Sequence, residues 1–279
     1  MKHSEAAAGT QPENRADRLS STEDAHYTTQ MLGIIGGSGL DNLHNLTLGD
    51  RRTVTTPYGP PSCPLSFGTL AGRDVVFMAR HGERHTIPPH RVNYRANLWA
   101  MREAGVSDIA AVFAVGGIAH GTGPGTLIVP HQLIDYTYGR EHSYADSLDQ
   151  PVLHVDFTQP YTEAVRNALL AAAAKVSIPV MGHGIYAAVN GPRLETAAEI
   201  DRMERDGATI VGMTGMPEAG LARELALNYA ALAVSVNYAA GRCDSASQID
   251  LELIPAIMRR SMAGVCNLLE CWVEMGQHD

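Results

Sequence analysis

The stretch of sequence that decides the fold is Leu32-Gly33-Ile34-Ile35-Gly36-Gly37-Ser38-Gly39-Leu40. Its first four residues are a short apolar run, which predicts a buried strand of a parallel sheet. The glycines around Ser38 let the backbone turn sharply and bring its N–H groups close to an anion. Two interpretations are open, a phosphate-binding loop and a simple tight turn. The spacing differs from G-x-G-x-x-G, from a Walker loop and from the G-x-S-x-G nucleophile elbow.

The composition of the 279-residue chain excludes several classes of protein. Hydrophobic residues make up 45%, enough for a substantial core, and the formal net charge of -9 argues against a general nucleic-acid binder. The four cysteines form neither a C-x-x-C motif nor a Cys/His pattern with zinc spacing, so we expect reduced cysteines in a cytoplasmic protein. The chain lacks an apolar run of about 18 residues, so no membrane span is expected.

Residues 1–29 differ in composition from the rest of the chain. Small, polar and acidic residues dominate them, without apolar periodicity and without the apolar core of a signal peptide. Such a segment buries too little surface to offset the entropy of ordering it. We therefore expect a disordered N-terminal tail over residues 1–29 and a single domain over residues 30–279.

Apolar runs that predict strands alternate along the domain with periodic segments that predict helices. The predicted strands cover residues 53–56, 65–70, 75–79, 109–115, 126–129, 184–189, 210–213 and 230–236, and the predicted helices lie around 92–99 and at 162–174, 197–205 and 217–225. The chain closes on a long helix with an apolar stripe of Met258, Met262, Val265, Leu269 and Trp272. This order predicts an α/β fold with a mostly parallel sheet covered by helices on both faces.

Polar side chains follow several of the predicted strands. In an open α/β sheet, ligands bind at the carboxyl ends of the strands. The polar residues at these ends are Ser38, Arg80, His81, Glu195, Thr214 and Asn237. Because they follow at least five separate strands, their recurrence predicts one binding site at this edge of the sheet.

The stretch Arg80-His81-Gly82-Glu83-Arg84-His85 has three interpretations. A metal site would use His81 and His85, but the zincin motif needs a glutamate next to the first histidine on a helix, and this stretch runs into a proline-rich loop. An anion site is favoured, because arginine has a planar fork that matches phosphate oxygens and histidine can add a donor. A surface charge cluster is the third interpretation.

Two strand-to-helix junctions also have a purely structural interpretation. Thr196 followed by Glu199 predicts a capping box at a helix start, which leaves Glu195 without a structural role. Thr214, followed by Pro217, equally fits an N-cap. Glu195 is therefore the candidate for a functional carboxylate.

Five motifs stand in an order that resembles the methylthioadenosine phosphorylase branch of the trimeric purine nucleoside phosphorylases. They are Gly33-Ile-Ile-Gly-Gly-Ser-Gly-Leu40, Ala79-Arg-His-Gly82, Val92-Asn-Tyr-Arg-Ala-Asn-Leu-Trp99, Gly191-Pro-Arg-Leu-Glu-Thr196 and Met213-Thr-Gly-Met-Pro-Glu218. The resemblance covers residues 31 to about 275 and implies the nucleoside phosphorylase fold. That fold is a single-domain αβα sandwich with a mixed, mostly parallel central sheet.

The resemblance also implies roles for individual residues. Phosphate would be held by Ser38, Arg80, His81, Thr214 and the backbone of Ala114, and the ribose and its substituents by Met213 and Leu194. Phe113 departs from the family, which usually has Thr or Asn there. A side-chain contact to phosphate is therefore expected to be missing at this position or replaced by backbone.

The base site departs from methylthioadenosine phosphorylases at two positions. Those enzymes typically carry Asp-Tyr-Asp where this chain has Asn237-Tyr238-Ala239, and a serine where it has Glu195. The pair instead resembles purine nucleoside phosphorylases selective for 6-oxopurines. A 6-oxopurine has an N1–H that a carboxylate can accept and an O6 to which an amide can donate, whereas adenine N1 is an acceptor that ionised Glu195 would oppose. Asn237 and Glu195 are thus the candidate catalytic residues.

The 5′ end of the substrate is assigned by the same resemblance. A methylthio group needs an apolar pocket, which Ile249, Leu251 and Ile254 could line. His154 matches a family histidine that reaches the 5′ region of a neighbouring subunit, which implies a homotrimer. The alternative for His154 is a buried structural histidine.

The chain is most similar to the methylthioinosine phosphorylases of this family. The resemblance implies phosphorolysis of S-methyl-5′-thioinosine, with inorganic phosphate as co-substrate and neither a metal nor an organic cofactor. Alternatives are a methylthioadenosine phosphorylase, a general inosine/guanosine phosphorylase and a nucleoside-binding sensor without catalysis. Against a sensor, four predicted phosphate ligands occur together, and a nucleoside sensor has no need of them.

Overall fold

The structure, a computed structural model, describes residues 31–37, 46–145 and 153–276; the predicted tail over residues 1–29 lies outside these ranges. The strands are β1 (Met31–Gly36), β2 (Leu46–Arg52), β3 (Leu65–Leu70), β4 (Arg73–Ala79), β5 (Val106–Gly117), β6 (Leu127–Ile128), β7 (Gln132–Asp135), β8 (Val180–Met181), β9 (Ile185–Ala188), β10 (Ile210–Gly212) and β11 (Asn228–Tyr238). The α-helices are α1 (Tyr94–Glu103), α2 (Glu163–Lys175), α3 (Ala197–Arg205), α4 (Gly215–Glu224) and α5 (Ile254–Met275).

The strands form one mixed sheet. Their order is β2-β3-β4-β1-β5-β10-β9-β7, and β11 pairs with both β5 and β6, which in turn pairs with β8. Within the described ranges, six strand pairs are parallel and four are antiparallel. The predicted mixed, mostly parallel α/β sheet is confirmed.

The longest strand, β5, shows why both sheet faces are covered. Ile109, Ala111 and Phe113 belong to the apolar cluster that includes buried residues of α1 and α4. The alternating residues Ala110 and Val112 belong to the cluster that includes α2 and α5. Successive side chains of a strand point to opposite faces, so an unbroken apolar run is buried only when helices cover both faces.

In the C-terminal helix α5, residues of the predicted apolar stripe are buried. Val265, Leu269 and Trp272 are buried against the cluster it shares with α2, and Pro255 lies in the first turn, where its missing N–H costs no hydrogen bond. None of the helices in the described ranges combines the length and apolar character needed to cross a bilayer.

The prediction of a strand at residues 53–56 is wrong. The strand lies earlier, at β2, and pairs antiparallel with β3. Thr56 instead closes a turn, because its hydroxyl donates to Gly59 O at 2.6 Å and accepts from Tyr58 N at 3.2 Å. The β-branched threonines favoured a strand, while the glycine and charges of Leu46–Arg52 concealed one that lies at the sheet edge. The short strands β7 and β8 were also not predicted.

Candidate active site

A cavity of about 510 Å³ opens at the carboxyl ends of β1, β4, β10 and β11, along the second half of β5. Nine of the residues predicted for the site line it: Arg80, His81, Ala114, Leu194, Glu195, Met213, Thr214, Asn237 and Ile254. Gly37, the residue directly after β1, also lines the cavity. The predicted ligand Ser38 lies outside the described residues. Parallel strands thus bring together side chains that are far apart in the chain.

Arg80 directly follows β4 and is only 2% exposed. Its Nε and Nη2 donate to the two carboxylate oxygens of Glu218 at 2.6 and 2.8 Å, and its Nη1 donates to Val112 O at 3.1 Å. Its guanidinium carbon lies 5.0 Å from the centre of the Phe113 ring. Three of the five guanidinium N–H groups are used in this way. The interpretation of this stretch as a surface charge cluster is therefore wrong for Arg80.

His81 is held in one tautomer. Its Nδ1 lies 2.8 Å from Ile87 O, and because a carbonyl only accepts, Nδ1 carries the proton. Burial lowers the pKa of His81 to about 4, and the nearby charge of Arg80 acts in the same direction. At neutral pH the ring is therefore uncharged, and its Nε2 carries a lone pair.

The backbone around Thr214 forms another wall of the cavity. Thr214 precedes α4, but its side chain makes no capping hydrogen bond, so capping does not account for this residue. The N–H groups of Thr214 and Gly215 donate to the buried Tyr186 hydroxyl at 3.1 and 3.2 Å. On β5, Ala114 is exposed between buried neighbours, while Phe113 packs on Tyr186. Phe113 thus offers no polar group to the cavity, as its departure from the family predicts.

Glu195 and Asn237 lie at a different part of the cavity. The capping box predicted next to Glu195 is confirmed, because Thr196 and Glu199 exchange both of its hydrogen bonds. Glu195 is not part of that box, and burial raises the pKa of its carboxyl group. The amide of Asn237 donates one N–H to Tyr238 O at 2.6 Å. One N–H and the oxygen of this amide remain for a ligand.

An apolar part of the cavity is formed by α5. Ile254, Met258 and Met262 line it. The structure does not bring Ile249 or Leu251 there, and Leu251 is 60% exposed. The chain turns at residues 251–253 before α5 begins, so the first turns of the helix, rather than the segment before it, face the cavity.

His154 is not brought to the cavity either. It is exposed, so the alternative of a buried structural histidine is wrong. An exposed ring is free to contact a neighbouring molecule, and its predicted role at another subunit stays a prediction.

Sequence reasoning missed three parts of the site. Glu218 was quoted within a motif but given no role, because an acidic residue in the first turn of a helix is ordinary. Met258 and Met262 were assigned to the core stripe, and they do pack beside the core as well as line the cavity. The loop of residues 85–89 lines the cavity too, and only its closeness to Arg80 could have indicated it.

Comparison with known proteins agrees with this geometry. The family model described as "Phosphorylase superfamily" matches residues 31–270, which include the described strands and most of α5. The chain belongs to the phosphorylase superfamily. Its fold matches that of methylthioadenosine phosphorylase from Schistosoma mansoni in complex with adenine, with a TM-score of 0.83 at 34% identity, over 90% of this chain and 93% of that one. The predicted nucleoside phosphorylase fold is confirmed.

Relatives within the phosphorylase superfamily are more similar in sequence. The chain is 52% identical over 233 residues to a protein of Pseudomonas syringae pv. tomato named probable S-methyl-5′-thioinosine phosphorylase, covering 83% of this chain and 94% of that protein. It is 43% identical over 217 residues to the 6-oxopurine nucleoside phosphorylase of Pyrococcus furiosus, covering 75% and 80% of the two chains. Membership of this family makes the cavity the expected site of a phosphorylase reaction.

Proposed function

We propose that this phosphorylase cleaves S-methyl-5′-thioinosine with inorganic phosphate, releasing hypoxanthine and 5-methylthioribose 1-phosphate. The observation that carries the proposal is the presence of Glu195 and Asn237 in one cavity with Arg80 and His81. The Pseudomonas relative, which carries the name of this activity at 52% identity, supports the same substrate.

The base end of the cavity favours a 6-oxopurine. Ionised Glu195 accepts the N1–H of the purine, and the free N–H of Asn237 donates to O6 or interacts with N7. Adenine would place its N1 lone pair against the carboxylate, and a buried polar group left unpaired costs roughly 1–3 kcal/mol. Met213 and Leu194 are the proposed contacts of the ribose.

In the proposed reaction, the glycosidic bond breaks through an oxocarbenium-like state. An oxygen of hydrogen phosphate attacks the anomeric carbon as the C–N bond breaks, and the bonding electrons leave with the purine. The purine anion then takes up the proton that the new phosphate ester gives up, which yields neutral hypoxanthine. The negative charge of phosphate stabilises the developing cation, and Asn237 stabilises charge on the leaving base. Ser38, Arg80, His81, Thr214 and the Ala114 backbone are the proposed phosphate ligands; His81, whose Nε2 carries a lone pair, would accept from a P–OH group of phosphate. The proposal needs neither a metal nor an organic cofactor.

Three further expectations accompany this proposal, on the assembly, the metabolic role and the location of the protein. We infer a homotrimer in which His154 reaches a neighbouring 5′ site, a role in purine salvage, and a cytoplasmic location that fits the free cysteines Cys63, Cys243, Cys266 and Cys271. The proposed domain limits are residues 30–279, with residues 1–29 as a tail. Sedimentation showing a fully active monomer would contradict the trimer.

The alternative favoured by a specific observation is a general 6-oxopurine nucleoside phosphorylase, the name of the Pyrococcus relative. The two candidates differ at the 5′ end of the substrate. The apolar wall of Ile254, Met258 and Met262 favours a methylthio group over a hydroxyl, because a hydroxyl buried there would lose its hydrogen bonds to water.

The decisive test compares methylthioinosine, methylthioadenosine and inosine at one phosphate concentration, with release of free base as the readout. The proposal expects the highest kcat/KM for methylthioinosine and no release without phosphate. A preference for methylthioadenosine would contradict the base assignment, and a preference for inosine the 5′ assignment. Nucleoside binding without any phosphate-dependent release would favour the sensor.

A further inference from the structure

The buried pair formed by Arg80 and Glu218 has a consequence for phosphate binding. We propose that Glu218 is a positioning residue for the phosphate site, holding the guanidinium of Arg80 so that its remaining N–H groups point to the anion. This inference rests on the proposed function, because it assigns the residue a role in binding the co-substrate of that reaction.

Glu218 acts through Arg80 because it does not itself line the cavity. It lies in the first turn of α4 and is 0% exposed. Its Oε2 accepts from Arg80 Nε at 2.6 Å, and its Oε1 accepts from Arg80 Nη2 at 2.8 Å and from the Tyr229 hydroxyl at 2.7 Å. Tyr229 is buried on β11. The carboxylate is therefore fixed between α4 and the sheet, and it grips one edge of the guanidinium.

Because the guanidinium is planar, the hydrogen bonds to Glu218 also fix the directions of the N–H groups of Arg80 that Glu218 does not contact. Nη1 of Arg80 donates to Val112 O at 3.1 Å, so three N–H directions are fixed by Glu218 and the β5 backbone. Because all five N–H groups lie in one plane, the directions of the other two, one on each terminal nitrogen, are fixed as well. Arg80 lines the cavity, so these two N–H groups are the ones available to phosphate oxygens.

Glu218 also has an opposing electrostatic effect. Its negative charge partly cancels the charge of Arg80 and by itself weakens the attraction for phosphate. We expect orientation to outweigh this effect, because the carboxylate lies behind Arg80, and a donor held in place loses no freedom when the anion binds. The two effects predict opposite changes in phosphate affinity when the carboxylate charge is removed.

The test uses Glu218→Gln and Tyr229→Phe. In the first variant, the new amide would face one Arg80 N–H with a donor, so one charge-assisted bond is lost and the guanidinium plane is released. We expect the KM for phosphate to rise about tenfold or more in Glu218→Gln and about two- to threefold in Tyr229→Phe, with the KM for the nucleoside unchanged. The thermal shift induced by inorganic phosphate alone should shrink in the same order.

Glu163→Gln is the matched control. Glu163 accepts from Nη1 of another buried arginine, Arg166, at 2.6 Å, and neither residue lines the cavity. The same chemical change in this pair should leave both KM values and the phosphate-induced shift as in the wild type. The two pairs share the change from a carboxylate to an amide beside an arginine but not the burial of the carboxylate, since the Glu163 side chain is 62% exposed. Only the pair at the site should change the KM for phosphate.

Several outcomes would overturn the inference. They are an unchanged or lower phosphate KM in Glu218→Gln, or an equal rise of the phosphate and nucleoside KM values. If Glu218→Gln does not fold, an unchanged phosphate KM in Tyr229→Phe has the same meaning. A wild-type protein that binds inorganic phosphate but does not use methylthioinosine contradicts the proposed function alone, and the thermal shift then tests the inference by itself.

Discussion

The phosphate end and the base end of the cavity differ in how firmly their side chains are held. At the phosphate end, Arg80 is buried and makes three hydrogen bonds to Glu218 and the β5 backbone. At the base end, Glu195 is only partly buried, and Asn237 uses one amide N–H. The donors of the phosphate end are therefore held in place without a ligand, whereas the base end has polar groups that are left to hydrogen-bond with one.

The difference follows from what each end has to recognise. An anion is bound best by donors that need no reorganisation, and a fixed arginine supplies them. A purine is selected by the pattern of donors and acceptors at its edge, so the discriminating groups must stay unsatisfied until the correct base fills them. We expect changes at the phosphate end to affect stability and binding together, and changes at the base end to affect specificity and turnover far more than stability.

The largest effect is expected for Arg80→Ala. It leaves Glu218 buried without its cation, which should lower the free energy of unfolding by about 3–5 kcal/mol. It should also abolish saturation with phosphate. Chemical denaturation and phosphate titration measure the two effects.

The double variant Arg80→Met with Glu218→Leu separates the effect on stability from the effect on phosphate binding. Replacing a buried ion pair with apolar groups of similar volume is often neutral for stability. We expect most of the stability to return while the phosphate dependence stays lost. Recovery of phosphate binding would show that the pair is only structural.

At the base end, Asn237→Asp should reduce kcat/KM for methylthioinosine by roughly a hundredfold, because a second carboxylate repels O6 and disfavours an anionic leaving base. Stability should change little, since the side chain is only partly buried. Combining it with Glu195→Ser should shift preference toward adenine further than either change alone. Unaltered methylthioinosine kinetics in Asn237→Asp would contradict the assignment.

A variant of His81 tests whether the phosphate end makes its own contribution to the pH dependence of the free energy of unfolding. Burial lowers its pKa from 6.5 to about 4, so between these values the unfolded chain binds more protons than the native state. Stability should therefore fall as the pH decreases through this window, by roughly 1–3 kcal/mol from this group. His81→Gln should flatten the decrease in denaturation experiments without phosphate. The same change at the exposed His183 is the control, and an equal effect there would contradict this attribution.

The smallest effect is expected for Glu195→Gln. Burial raises the pKa of Glu195, so its contribution to stability is present at low pH and is lost as the pH rises through the folded-state value. The variant should be slightly more stable at neutral pH, with kcat/KM for methylthioinosine reduced by about tenfold or less, because the amide oxygen still accepts from N1–H. It should also lose the acid limb of the pH–activity profile. An unchanged acid limb would assign that limb to another group.

The fold was largely predictable from the pattern of apolar residues and from the turn and capping residues that end strands and begin helices. The ranges predicted for β3 and α3 are confirmed, because their apolar runs end at clear turn or capping signals. The edge strand β2 was missed because an edge strand need not be apolar. The predicted tail and Ser38 lie outside the described residues, so those predictions stay open.

By itself, the sequence determined the alternation of strands and helices, the set of strand ends that carry polar residues, and the pairing of Glu195 with Asn237 as candidates. The first two follow from local spacing and from the chemistry of single side chains, and the pairing of Glu195 with Asn237 follows from the resemblance to 6-oxopurine phosphorylases. Only the tertiary structure decided that Glu218 grips Arg80 across 138 positions of chain, and that Met258 and Met262 rather than Leu251 reach the cavity. The reason is physical: burial and hydrogen-bond partnership depend on which elements pack together, and local sequence does not encode that packing.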